Sequence, residues 1–188
     1  MDRRGLIGTL TCAIALRAAA ASKDVQPAAA SIGATLPAGV HVPKLEFVYE
    51  CDVNIADPQE FGTTVEGKRR VIPITGGSFS GPEIRGQVLS GGADWNLSRN
   101  DGASSVEAAY YLRTDDGITI RIVNRGLRYG APPADDPTSG EKFFMYTAPV
   151  FEAPASKYEW LNQAMYVATL GARRDAKKAV LIRVFRLV

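Results

Sequence analysis

Apolar and polar side chains alternate along most of the chain beyond residue 44. Leu45, Phe47, Tyr49, Cys51 and Val53 interleave with Lys44, Glu46, Glu50 and Asp52. A period of two with one apolar face predicts a half-buried antiparallel strand. VEAAYYLR (106–113), TDDG (114–117) and ITIRIVN (118–124) predict a β-hairpin, with Asp116-Gly117 supplying the positive φ angles of a tight turn. MYVATL (165–170) and AVLIRVFRLV (179–188) predict a second strand pair around the charged turn ARRDAKK (172–178). The middle of that last strand is apolar on both faces, which suits a central or barrel-closing strand. Helical period is nearly absent, and only Ala155 to Trp160 suits a short turn.

Glycine is dense between these strands. Nine of the eighteen glycines lie in residues 62–102. Glycine inside a strand pattern marks a bulge, a sharp bend or a close backbone approach, and small barrels need such bends at their corners. About eight to ten short strands in roughly 145 residues predict an all-β domain, one antiparallel barrel or sandwich with little helix. The long segment RYGAPPADDPTSGE (128–141) suits a lid or binding loop and equally a solvated crossover.

Ahead of the strands the pattern changes. Arg3 and Arg4 precede an apolar run of twelve residues, Gly5 to Leu16, which is too short to span a bilayer. Ala18 to Ala21 offer the small residues of a cleavage site, so residues 1–21 are expected to be an export signal. RRGLI is similar to a twin-arginine signal. Cys12 follows Thr11, which does not fit a lipid-attachment site. Residues 22–43 are rich in Ala and Pro without a sustained period and suit a linker to a domain at 44–188. The expected compartment is the periplasm or the exterior.

That expectation changes the charge. Removing Arg3, Arg4 and Arg17 from 22 basic residues, and Asp2 from 20 acidic ones, leaves 19 of each. A neutral chain is poorly suited to nucleic acid or to an anionic membrane surface. Removing Cys12 leaves Cys51 alone, so no intramolecular disulfide is expected, and its apolar setting suits a buried, inert thiol. The single histidine, His41, lies in the linker, a poor place for a Ser-His-Asp or Cys-His site and no basis for a histidine-rich metal site. Gly76-Gly77 and Gly91-Gly92 neither lead into a helix nor carry a P-loop lysine, which argues against nucleotide binding. No metal or cofactor is expected.

The segments IPITGGSFSGPEIRGQVLSGGADW, RNDG, EAAYYLRTDDG, NRG and YEWLN together resemble domain of unknown function 3237. The resemblance runs from about Leu45 to the C-terminus. It implies a small antiparallel β-barrel and assigns no general chemistry. Members often carry a basic residue where Ala109 stands.

In a barrel alternate residues point inward, so polar residues on a strand are candidates for a pocket. Asp94, Glu107 and Tyr146 are the candidate catalytic residues. A carboxyl pair in unequal surroundings can hold one protonated and one ionised member, which suits acid/base work, and a tyrosine can donate a proton or a hydrogen bond. Arg99 could grip a carboxylate or enolate, with Asp101 and Asn124 as further polar contacts and Phe79, Trp95 and Trp160 as aromatic walls.

Each has a plainer role. Asp101-Gly102 is a turn pair, and Arg99 can pair with Asp94 or Asp101. The tryptophans can be core, and Glu107 can face either side. The readings that survive are a cofactor-independent lyase or isomerase on a small organic molecule and a non-catalytic small-ligand-binding barrel. An outer-membrane barrel is disfavoured by the charges on one face of the first strand. A homo-oligomer is compatible with an exposed apolar patch.

Overall fold

The computed structural model describes residues 37–130, 144–172 and 178–188. His41–Val188 forms one compact unit. Its strands are β1 (Leu45–Ile55), β2 (Gln59–Thr64), β3 (Gly67–Ser80), β4 (Arg85–Val88), β5 (Ala93–Arg99), β6 (Ser104–Thr114), β7 (Thr119–Tyr129), β8 (Phe144–Glu152), β9 (Tyr166–Ala172) and β10 (Ala179–Leu187). All pairings are antiparallel. The sheet runs β1-β10-β9-β8-β7-β6, continues through β4 and β5 to β3, and closes where β3 pairs β1. Because β4 and β5 share one place between β3 and β6, the ring has eight positions. β2 lies along the first half of β3 and is exposed throughout. The β-barrel expected from the strand pattern is therefore the observed fold.

The predicted hairpin is β6 and β7, in register from Ser104–Arg128 to Arg113–Thr119. The second predicted pair is β9 and β10, whose turn at residues 173–177 lies outside the described residues, as do residues 131–141 of the long predicted loop and residues 1–21, where an export signal is expected. The short helical turn falls slightly later than expected, as a 3-10 turn at Glu159–Gln163.

Burial follows the pleat. Along β6, Ser104, Val106, Ala108, Tyr110, Leu112 and Thr114 are buried, while the residues between them are half-buried or exposed. One half of the interior is filled by aromatic rings: Tyr49 meets Phe79 and Phe151 edge-on, and Phe151 meets Tyr166. Leu161 of the 3-10 turn is buried against this core. The segment before it is tied to the β6–β7 turn, because Tyr158 donates to Asp116 (3.0 Å) and Lys157 pairs with the same carboxylate (2.9 Å). With Thr114 also donating to it, Asp116 is held well below the usual carboxylate range. Cys51 is fully buried, and burial pushes its thiol up, away from the reactive thiolate.

Closing so small a ring brings backbones close together. Gly77 has φ +143°, and a Cβ there would overlap the Asp52 carbonyl across the β1–β3 pairing. Gly117 (φ +89°) occupies an open turn with nothing near its missing Cβ. Gly117→Ala is expected to cost only the left-handed backbone penalty, about 1–2 kcal/mol. Gly77→Ala must also displace a strand and should cost about 3 kcal/mol or more. Urea unfolding of the two variants checks this; equal losses would contradict it.

Candidate functional site

The other half of the interior is polar at its rim. On β3, Ile72 and Arg70 take successive inward positions, and the register sets Ile72 beside Asp94 and Arg70 beside Asn96 of β5. Asp94 in turn sits beside Ala108 of β6, and Ala108 beside Asn124 of β7. Of these, Ile72, Asp94, Ala108 and Asn124 line an interior cavity of about 60 Å³, whose apolar wall also includes Val53, Val106, Leu170, Val180 and Ile182. Asp94 and Asn124 are its polar members.

The Asp94 carboxyl accepts hydrogen bonds from the Glu107 backbone N–H (2.9 Å) and, at 3.4 Å, from the Asn96 side-chain amide. The Asn96 oxygen accepts one from Arg70 Nε at 3.0 Å. Burial pushes the carboxyl above its ordinary value, while the two hydrogen bonds and the Arg70 charge pull it down. Burial prevails, and the nearby Glu107 charge adds to it. Asn124 is 1% exposed, and its Oδ1 is buried without a partner. Thr147 Oγ1, which faces inward from β8, is in the same state. A buried acceptor without a donor costs about 1–3 kcal/mol, so two of them at one end of the interior are retained against stability.

Of the predicted site residues, the structure brings Asp94 and Asn124 together. Strand parity places the others elsewhere. Glu107 lies between buried Val106 and Ala108, so it faces outward, where Arg125 pairs with it at 2.8 Å. Trp95, next to inward Asp94, is exposed. Tyr146 alternates with buried Thr147 and packs on Phe144 outside the barrel. Arg99 and Asp101 pair with each other (2.5 Å) at the exposed β5–β6 turn, so Arg99 does not enter the interior. Asp101 also caps the Ala103 N–H, a turn role that holds its carboxyl down. Phe79 is core, against Tyr49. Trp160 is half-buried beneath Arg186 in a separate surface cleft.

Arg70, Asn96, Arg128 and Thr147 went unnoticed in the sequence. Arg70 shares a face with Ile72 and Ile74, and Arg128 shares one with Ile120, Ile122 and Asn124. The same alternation that defined the strands carried that signal.

Comparison with known proteins agrees with this fold. The family described as "Protein of unknown function (DUF3237)" matches residues 43–187. A UPF0311 protein of Rhodopseudomonas palustris is 34% identical over 149 residues, covering 74% of this chain and 95% of the relative. The chain belongs to the DUF3237 family. A β-barrel-like protein from Acinetobacter baumannii, solved by crystallography, is 32% identical with a TM-score of 0.69, covering 81% of this chain and all of that one. A more distant relative, 26% identical over 120 residues, is named hydroalkoxylation enzyme phnH and comes from Penicillium herquei; the match covers 64% of this chain and 69% of that protein.

The raised carboxyl has a sign that can be checked. A native value above the unfolded one means that the folded state holds the Asp94 proton more tightly. That contribution to stability is complete below the unfolded value, near 3.8, and is lost as pH rises through the raised native value. Asp94→Asn removes the loss. The stability of Asp94→Asn relative to wild type should therefore rise with pH across that window in urea unfolding. A constant or falling difference would contradict it.

Proposed function

We propose that the polar end of the barrel binds a small organic molecule and that Asp94 exchanges a proton with it, without a cofactor. The observation that carries this reading is the pair formed by Asp94 and Asn124. One is a carboxyl with a raised pKa, the other a buried amide oxygen with no donor, and both open onto one apolar-walled cavity. Perturbed acids beside unpaired polar groups in a concave site are the usual mark of chemistry or binding. The cavity has room for one end of a ligand, so the remainder would lie across the rim.

A carboxyl whose charge is disfavoured by burial can give a proton as the acid and take one back as the carboxylate, which suits isomerisation, elimination or ring closure. Hydroalkoxylation, the activity in the name of the distant relative, belongs to this class. An O–H adds across C=C: a C–O bond forms, one carbon gains a proton, the oxygen loses one, and nothing is oxidised. A single carboxyl can deliver the first proton and receive the second. Among the described residues no three His, Cys, Asp or Glu side chains cluster as metal ligands. No helix among them is long and apolar enough to cross a membrane. Outward ion pairs such as Arg121–Glu152 and Arg183–Glu50 sit poorly with a lipid-facing wall. We also propose that residues 1–21 direct export, on the pattern around Arg3, Arg4 and the apolar run.

The test is native mass spectrometry of protein recovered from the periplasmic fraction and incubated with small molecules extracted from cells. Wild type, lacking residues 1–21, should retain a ligand and convert it, and Asn124→Ala should lose it. Asp94→Asn should keep the ligand but slow its conversion by about 100-fold or more. Unchanged conversion in Asp94→Asn would refute the acid/base role, and retention without any conversion in wild type would leave a binding barrel.

A further inference from the structure

Two inward-facing arginines at the polar end have no ion-pair partner among the described residues. Arg70 is the inward residue next to Ile72 on β3, and Arg128 lies two inward steps beyond Asn124 on β7. On the eight-position ring β3 and β7 are three places apart by way of β5 and β6, so the two arginines stand nearly opposite each other. Both are half-buried. Other arginines of the wall, such as Arg99, Arg121 and Arg125, are each paired with a carboxylate. Arg70 and Arg128 have no such ion pair among the described residues. Arg70 uses only Nε, on the Asn96 oxygen, and Arg128 reaches the Ser104 hydroxyl at 3.3 Å. Among the described residues these are the hydrogen bonds that the two guanidinium forks make. The Arg70 charge acts on the Asp94 carboxyl without forming an ion pair with it, and two partly desolvated cations facing inward are costly unless a further anion meets them.

We propose that Arg70 and Arg128 form a clamp for a carboxylate, so that the barrel's substrate is a small organic acid whose apolar part enters the cavity past Asp94 and Asn124. The guanidinium fork matches a carboxylate in bidentate fashion, and two forks from opposite walls fix its orientation as well as its charge. This deepens the reading above and rests on it, because the same cavity takes the apolar end. It also moves the anion-binding role expected of Arg99 to residues one pleat further inside.

The test compares butyrate with its neutral counterpart butyramide on the full chain, followed by NMR of the backbone amides and the Asn124 side-chain amide. Both should perturb Asn124. Butyrate should bind about tenfold more tightly at low salt, and added salt should erode that preference. Arg70→Gln and Arg128→Gln should each weaken butyrate by about fivefold and leave butyramide unchanged. Arg70→Lys and Arg128→Lys should keep part of the preference. The salt dependence of wild type decides the matter even if a glutamine variant folds poorly. Equal binding of the two ligands, or a preference that survives in the double glutamine variant, would overturn the clamp and leave the cavity reading standing. If neither ligand perturbs Asn124, both fall together.

Discussion

Closure of the ring at β3 is the constraint on which the rest depends. This one strand pairs with β1 and β2 on one side and with β4 and β5 on the other. Its two halves therefore belong to different parts of the wall, and the chain must bend between Ile74 and Phe79. Gly76 and Gly77 make the bend, and at Gly77 the neighbouring backbone of β1 takes the space a side chain would need. Gly92, just before β5, meets the Ala109–Tyr110 backbone in the same way. The glycine-rich stretch thus bends the wall and lets its strands approach closely.

Closure also fixes which residues share the interior. With the ring shut, pleat parity leaves one choice for each strand, and a residue one place off faces solvent. The aromatic half, from Tyr49 to Tyr166, is well filled and plugged by Leu161. One buried polar atom there, the Tyr49 hydroxyl, has no hydrogen-bond partner, and the other half departs further from full pairing. It leaves the amide oxygen of Asn124 and the hydroxyl of Thr147 without donors, keeps a carboxyl at Asp94 where burial disfavours its charge, and turns two arginines inward. A barrel optimised only for stability would place aliphatic side chains at these positions. Retained polar groups at one end of an otherwise packed interior are the physical argument for a site there.

Much of the fold was legible in the sequence, because period two is a strong signal and the turn ending at Gly117 fixes the β6–β7 hairpin, although Gly117 takes the positive φ expected of the Asp116-Gly117 pair and Asp116 does not. The candidate site was legible only in part. Asp94 and Asn124 stood out as polar residues in apolar strands. Glu107 and Tyr146 stood out as polar residues and Trp95 as an aromatic wall, and all three face outward. Composition within a strand says that a charge is unusual, while register says which way it points. Register needs the partner strand: Glu107 is placed by burial of Val106 and Ala108 and satisfied by Arg125 on β7, eighteen residues on in the chain. Arg99 and Asp101 formed a local pair, which short-range turn chemistry could have shown. Arg70 lay hidden in the run KRR, where a cluster of charge reads as solvated surface although the middle of the strand turns one of them inward.

The central claim is that the Asp94 end of the interior is a site and not merely loose core. Ala108 lies between Asp94 and Asn124 and lines the cavity. Ala108→Val would fill that space with two buried methyl groups in place of one, on a strand where a β-branched residue fits well. The most direct measurement is the thermal stability of this variant together with its binding of butyramide. If the cavity is a site, the variant should melt at the same temperature or higher and lose the ligand, because filling a functional cavity trades activity for packing. A variant that melts lower and still binds butyramide as wild type does would contradict the account.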